Sequence, residues 1–252
     1  MLLRRITQHV KTQNWLAVFI DFLIVVVGVF IGIQVANWNA DLKDKTAYKA
    51  ALERFKVEVE LNIDSLEKLH QELNKSIPFV TSGLDYLRTC DQSEEAKKAI
   101  ILAINEMQFT RGVRIRNSSL IELTTNADLL LQQSGDDRRA FQDLSYSLGI
   151  VQYESDYLEI KPMDNPIWAN PKLTVDQSKI DVVEYKGNEW KFLKRELLLN
   201  ASTEELCNDH SLRSQIYGWE RLQSALASMI AITIGDFRTI DKLLIQKQIG
   251  TN

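Results

Sequence analysis

The sequence predicts a mainly α-helical fold with one N-terminal transmembrane helix. Three observations predict it. Residues 15–38 form one long apolar run, and two stretches downstream repeat apolar residues at alternating spacings of three and four. The 252 residues also hold only 10 Gly and 4 Pro, too few for a turn-rich all-β fold. The predicted architecture is a transmembrane helix continuing into a long stalk helix, packed antiparallel against a long C-terminal helix, with a small helical domain and a minor β-hairpin between them. The boundaries read as a basic cytoplasmic N-terminus at 1–14, the span at 15–38, a stalk at 39–77, a helical domain at 78–209 with an irregular loop at 161–189, and a C-terminal helix at 210–252 returning toward the membrane.

The run WLAVFIDFLIVVVGVFIGIQVANW holds one acid, Asp21, and one amide, Gln34. At 1.5 Å per residue, Trp15 to Trp38 covers ~34 Å, enough for a ~30 Å hydrocarbon core. Both tryptophans fall where an interfacial aromatic belt anchors a span. A cleaved signal peptide needs a shorter run and a small-residue cleavage site, whereas here a heptad helix follows. Arg4, Arg5 and Lys11 precede the span without an acid, and Asp41, Lys43, Asp44, Lys45 and Lys49 follow it. That imbalance predicts a cytoplasmic N-terminus and a C-terminal domain on the other side.

At 100° per residue, Asn14, Asp21, Val25, Gly28, Gly32 and Asn39 share one stripe, with Ala17, Val35 and Ala36 at its edges. Gly28 and Gly32 make a G-x-x-x-G pair that Ala36 extends, a surface that lets another helix approach closely in lipid. The partner is either a second copy or another membrane protein. Asp21 on the same stripe is either a structural carboxylate or a proton carrier.

The pattern of Trp15, Asp21, Gly28, Gly32, Gln34, Asn37, Trp38 and Asn39 resembles the N-terminal signature of an uncharacterised family of bacterial single-pass inner-membrane proteins. Residues 120–144 resemble that family's helix, small-residue turn and leucine-arginine helix, with Asn126-Ala127 where the family carries Ser-Gly. The resemblance implies a bacterial inner membrane, and so a periplasmic domain, but no activity. Phe19-Ile20-Asp21 before an apolar run is also similar to the single span of energy-transducing stator subunits, whose aspartate carries protons. The downstream domain is unlike theirs.

In the stalk, Leu52, Phe55, Val59, Asn62, Leu66, Leu69 and Leu73 form a heptad seam. Asn62, its polar member, either fixes an oligomer's register or sits in an intrachain core. Pro78 predicts a break near residue 77, followed by a short helix at 78–89. Ser93 with Glu94 and Glu95 starts a helix through about Met107. Residues 109–118 form a loop. Its Arg111, Arg114 and Arg116, interrupted by Gly112, Val113 and Ile115, predict a solvated face rather than a phosphate site. Ser118 or Ser119 starts a helix to about Gln133. Gly135-Asp136 restarts the chain into an amphipathic helix marked by Phe141, Leu144, Leu148, Val151 and Leu158.

Residues 180–185 read as one arm of a hairpin before Lys186-Gly187-Asn188, with 190–193 as either the other arm or a helix start. Trp168 and Tyr185 are either partner contacts or caps on the core. Ser202-Thr-Glu-Glu205 is a capping box. The last helix begins near His210 with the seam Leu226, Ile230, Thr233, Phe237, Ile240 and Leu244.

Net charge is −4 with no basic stripe, which argues against nucleic acid as a partner. Cys90 and Cys207 both fall at the membrane-distal end of the helical hairpin, as a disulfide or as free buried thiols. His9, His70 and His210 lack metal-ligand spacing, and no P-loop, G-x-S-x-G or dinucleotide motif is present. The sequence therefore predicts neither an enzyme nor a cofactor. It predicts a membrane-anchored scaffold or partner-binding protein. The alternatives are a subunit of an ion-coupled complex using Asp21, or a sensory module acting through a partner.

Overall fold

The computed structural model describes residues 15–185 and 187–250. Arg4, Arg5, His9, Lys11 and Asn14 lie outside them, as do the side chains of Trp15, Ala17 and Tyr185.

Helix α1 runs from Trp15 to Thr89 without interruption. Its 75 residues span ~112 Å. The first part is apolar, packs against nothing else among the described residues, and is long enough to cross a membrane. It fits a single transmembrane helix. From Ala51 onward one face is buried, through Phe55, Val59, Asn62, Leu66 and Leu73. Leu52 and Leu69, placed in the seam by spacing, sit half-buried at its edge.

The break expected at Pro78 does not occur, so the stalk extends from residue 77 to Thr89. Proline removes one backbone donor and crowds the preceding turn, at a cost near 3 kcal/mol in a helix interior. Packing offsets that cost: Ser76 and Val80 on either side of Pro78 are buried. Helix α2, Glu94–Glu106, lies against this segment, with Ser93 as its N-cap.

The single helix expected at 118–133 is two, α3 at Ser118–Thr125 and α4 at Ala127–Gln132. Asn126 takes an extended conformation between them, and its side chain accepts from the amides of Asp128 and Leu129. That local bond competes with continued helix. Ser134 caps α5, Gly135–Ile160, and the five predicted apolar positions of α5 are all buried. Helix α5 rises alongside α1: Asp137 stands near Tyr48, and the Ser155 hydroxyl accepts from the Val113 amide further up.

Two 3-10 turns, Lys161–Asp164 and Ile167–Ala169, lead into four short strands. Strands β1 (Leu173–Val175) and β4 (Leu197–Leu199) pair antiparallel, as do β2 (Lys179–Tyr185) and β3 (Asn188–Lys194). The predicted hairpin is therefore present and longer than expected, rooted where Asn105 of α2 bonds both the amide and the carbonyl of Leu197. Its tip turns at Gly187, whose φ of 75° favours a residue without Cβ.

The Ser202 capping box opens α6, Thr203–Cys207. Helix α7, His210–Gly250, then returns antiparallel along α1, and its six predicted seam residues are buried. Arg238 pairs with Glu67 at 2.6 Å, and Thr81 donates to Glu220 at 2.5 Å. Two hydrophobic clusters result. One, nearer the apolar segment, joins α1, α3, α4, α5 and α7. The other, at the distal end, joins α1, α2, β1, β4, α6 and α7. A disulfide between Cys90 and Cys207 closes the distal end.

Candidate functional site

Because α1 is unbroken, the azimuth of the apolar segment is tied to that of the domain. From Gly28 to Phe55, and from Gly32 to Val59, is about seven and a half turns at 3.6 residues per turn. The glycine face therefore lies opposite the buried seam. From Gly28 to Val57 and from Gly32 to Leu61 is about eight whole turns, and Val57 and Leu61 are exposed. Asp21, Val25, Gly28, Gly32, Ala36 and Asn39 thus share a face that continues up the outer side of the stalk. All six, with Trp38, are exposed in the chain alone.

A polar cluster in the proximal core joins Asn62, which the seam spacing marks, to Glu58, which it does not. Glu58 is 7% exposed. Its carboxylate accepts from the Ser118 hydroxyl at 2.9 Å and from the amides of Ser119 at 3.0 Å and Leu120 at 3.4 Å. A carboxylate at a helix start satisfies amides that have no partner within the helix and meets the positive end of the dipole. One turn on, Asn62 donates to the Arg116 carbonyl at 2.7 Å and accepts from the Arg116 amide at 2.9 Å. Asn62 is thus an intrachain core residue. The polar entry in an apolar seam was the available signal, but its partner came from a distant loop.

That loop matches the expected solvated face at two of its three arginines. Arg111 is mostly buried between Glu72 and Glu106, whereas Arg114, held at 2.8 Å by Glu159, and Arg116 are exposed. Acidic neighbours engage two of the three: Glu72 of α1 and Glu106 of α2 flank Arg111, and Asp156 and Glu159 of α5 flank Arg114.

At the end of the domain nearest the apolar segment, Asp137 pairs with Lys247 of α7 at 2.5 Å. Burial, with the Asp137 carboxylate adding to it, pushes the Tyr48 phenol up to about 12. The phenol oxygen is buried with no hydrogen-bond partner among the described residues.

An open cleft of about 320 Å³ lies between the C-terminal end of α5 and α7. Tyr157, Lys161, Tyr217 and Arg221 line it, above Trp219. The Trp219 indole donates to the Phe109 carbonyl, and Gln215 bridges Asn165, Pro166 and Asn170. These bonds fix the walls but align no nucleophile with a base. Trp168 stands exposed nearby while its neighbour Ile167 takes the core position. Ile180, Trp190 and Leu193 of the hairpin are also exposed. Among the described residues no group of three His, Cys, Asp or Glu side chains is placed to hold a metal ion.

Comparison with protein-family models, with curated proteins and with solved structures returns no match.

Proposed function

We propose that the protein is a membrane-anchored scaffold, held in the bacterial inner membrane by residues 15–38, that presents a periplasmic helical domain to partners. The carrying observation is the continuity of α1. One rigid helix joins an unpacked apolar segment to the core of the domain, with the Gly28/Gly32 face turned away from that core. On this reading the glycine face and the outer stalk around Val57 and Leu61 form one docking strip for a second span and its stalk. The disulfide supports an oxidising compartment. The signature around Trp15, Asp21 and Trp38 supports the inner membrane.

Carbonate washing of membranes tests the anchor, because a protein held by residues 15–38 stays in the pellet. Release of the intact chain sinks the reading. Crosslinking in membranes tests the strip: Gly28→Leu and Gly32→Leu lower the yield of span-to-span adducts, and an unchanged yield removes the strip. A second reading, a subunit of an ion-coupled complex, is favoured by one fact. Asp21 is the only ionisable residue between Trp15 and Trp38.

A further inference from the structure

Helix α5 is apolar on two sides. Its inner seam, Phe141, Leu144, Leu148 and Val151, packs into the proximal core. Nine residues make two and a half turns, so Ile150, Tyr153, Tyr157 and Ile160 lie directly opposite those four. Tyr146 extends the outer row, giving steps of four, three, four and three over four turns. All five are exposed, Tyr146 at 75% and Tyr153 at 73%. A helix with an apolar stripe on its solvent side is not accounted for by its own fold. Tyrosine is enriched where surfaces meet other proteins, since its ring is apolar and its hydroxyl tolerates water.

We infer that this outer seam pairs with the same seam of a second copy, the two α5 helices running parallel. The inference rests on the membrane-anchored reading. Helix α5 rises in the same direction as α1, so two copies standing the same way up in one bilayer present their α5 helices parallel and at the same height. With Tyr146, Tyr153 and Ile160 as one core position and Ile150 and Tyr157 as the other, the flanking pairs across a parallel dimer are fixed. Asp156 meets Lys161 of the second copy, twice by symmetry, and Glu154 meets Gly149. No like charges oppose each other. Asp156 and Lys161 are about half exposed, engaged within the chain by Arg114 and Asp164 at the surface, and can reach across.

The pairing is separate from the glycine strip. The outer seam of α5 points away from the proximal core on one side, and Gly28 and Gly32 point away from it on the other. One two-fold axis cannot serve both, so a dimer through α5 leaves the glycine strip open for a different span.

The test uses the full chain in its native membrane, where the Cys90–Cys207 disulfide leaves both native cysteines occupied. Tyr153→Cys and Tyr146→Cys are each oxidised, with exposed Ser228→Cys on α7 as control. The expected result is a self-adduct of twice the chain mass at both α5 positions. Its yield should exceed that of the control by roughly tenfold, and Ile150→Glu with Tyr157→Glu should lower it by a similar factor. Carbonate-resistant membrane localisation is checked on the same samples. If the chain sits in the membrane and no self-adduct forms, the pairing is wrong and the anchor stands. An adduct only with a different protein, or only between Tyr146→Cys and Ile160→Cys in a mixture, also overturns it. Loss of the chain from the membrane overturns the anchor instead.

Discussion

Gly83 of α1 meets Ala103 of α2 so closely that a Cβ built on the glycine would stand 2.4 Å from the alanine methyl. The Ala99 carbonyl lies 3.1 Å from the same point. The distal pairing of α1 and α2, which carries the helix past Pro78, depends on this missing atom. Gly83→Ala gains helix propensity of ~1 kcal/mol but forces the helices apart. The expected net effect is a loss of ~1–3 kcal/mol, read as a lower midpoint in urea unfolding. A variant as stable as the parent removes this account of the contact.

Glu58 holds the first turn of α3 through three bonds. Glu58→Ala strands the Ser119 and Leu120 amides in a buried site and is expected to cost ~1–3 kcal/mol. Faster hydrogen exchange concentrated at residues 118–125 distinguishes this loss from general destabilisation. Uniform acceleration over the whole domain argues against a local cap.

Tyr48 sets an alkaline limit. Its phenol titrates at about 12 in the folded chain against 10.0 for the free group. Below pH 10 the proton is bound in both states and the stabilisation is complete. As pH rises from 10 toward 12, the unfolded chain releases the proton first, so stability falls; the rise from 10.0 to about 12 carries ~2.7 kcal/mol, and solvent screening of the half-buried side chain brings this to on the order of 1 kcal/mol. Tyr48→Phe removes a buried hydroxyl without a hydrogen-bond partner among the described residues and flattens this slope. At pH 7 its stability should match the parent or exceed it by up to ~1 kcal/mol. A steeper alkaline loss in the phenylalanine variant contradicts the assignment.

The Cys90–Cys207 bond ties the end of α1 to the end of α6 across 117 residues. A loop of that size confers ~4–5 kcal/mol in the chain-entropy account, and removal of native disulfides commonly costs 2–5 kcal/mol. Thermal unfolding with and without reductant is expected to show a clear drop in midpoint. Faster proteolysis should begin in the distal cluster around Leu206 and Trp219. Indifference to reductant shows that the distal core holds without the bond.

Asp21→Asn separates the two functional readings. For a scaffold, membrane retention and crosslink yield change by less than about twofold, under ~0.5 kcal/mol. Proton flux through vesicles that is present in the parent and abolished in the variant decides for the ion-coupled reading.

Helices with one clear apolar period were legible from sequence: the inner seam of α5, the seam of α7 and the Ser93 and Ser202 caps are all where spacing placed them. Spacing failed where a distant segment decided the outcome. Pro78 is a helix breaker locally, yet the burial of Ser76 and Val80 on either side holds the helix through it. Asn126 splits a helix because its own side chain offers the amides another acceptor. Glu58 looks like a surface acid on a stalk until residues 118–120 arrive. Strands β1 and β4 are three residues each, too short for a periodic signal. Asn105 of α2 bonds the Leu197 backbone of β4, a contact that spacing does not reveal. The outer row of α5 was hidden by its own regularity, since a helix with two apolar sides shows no single preferred face.

The absence of a joint in α1 has a mechanical outcome. Thr89 and Trp15 belong to one rod, so a twist imposed at either tip must turn the whole shaft, and an axial shift at one tip arrives undiminished at the other. The disulfide clamps α6 to the far tip, so such a displacement is handed directly to the return leg, with no slack loop to absorb it.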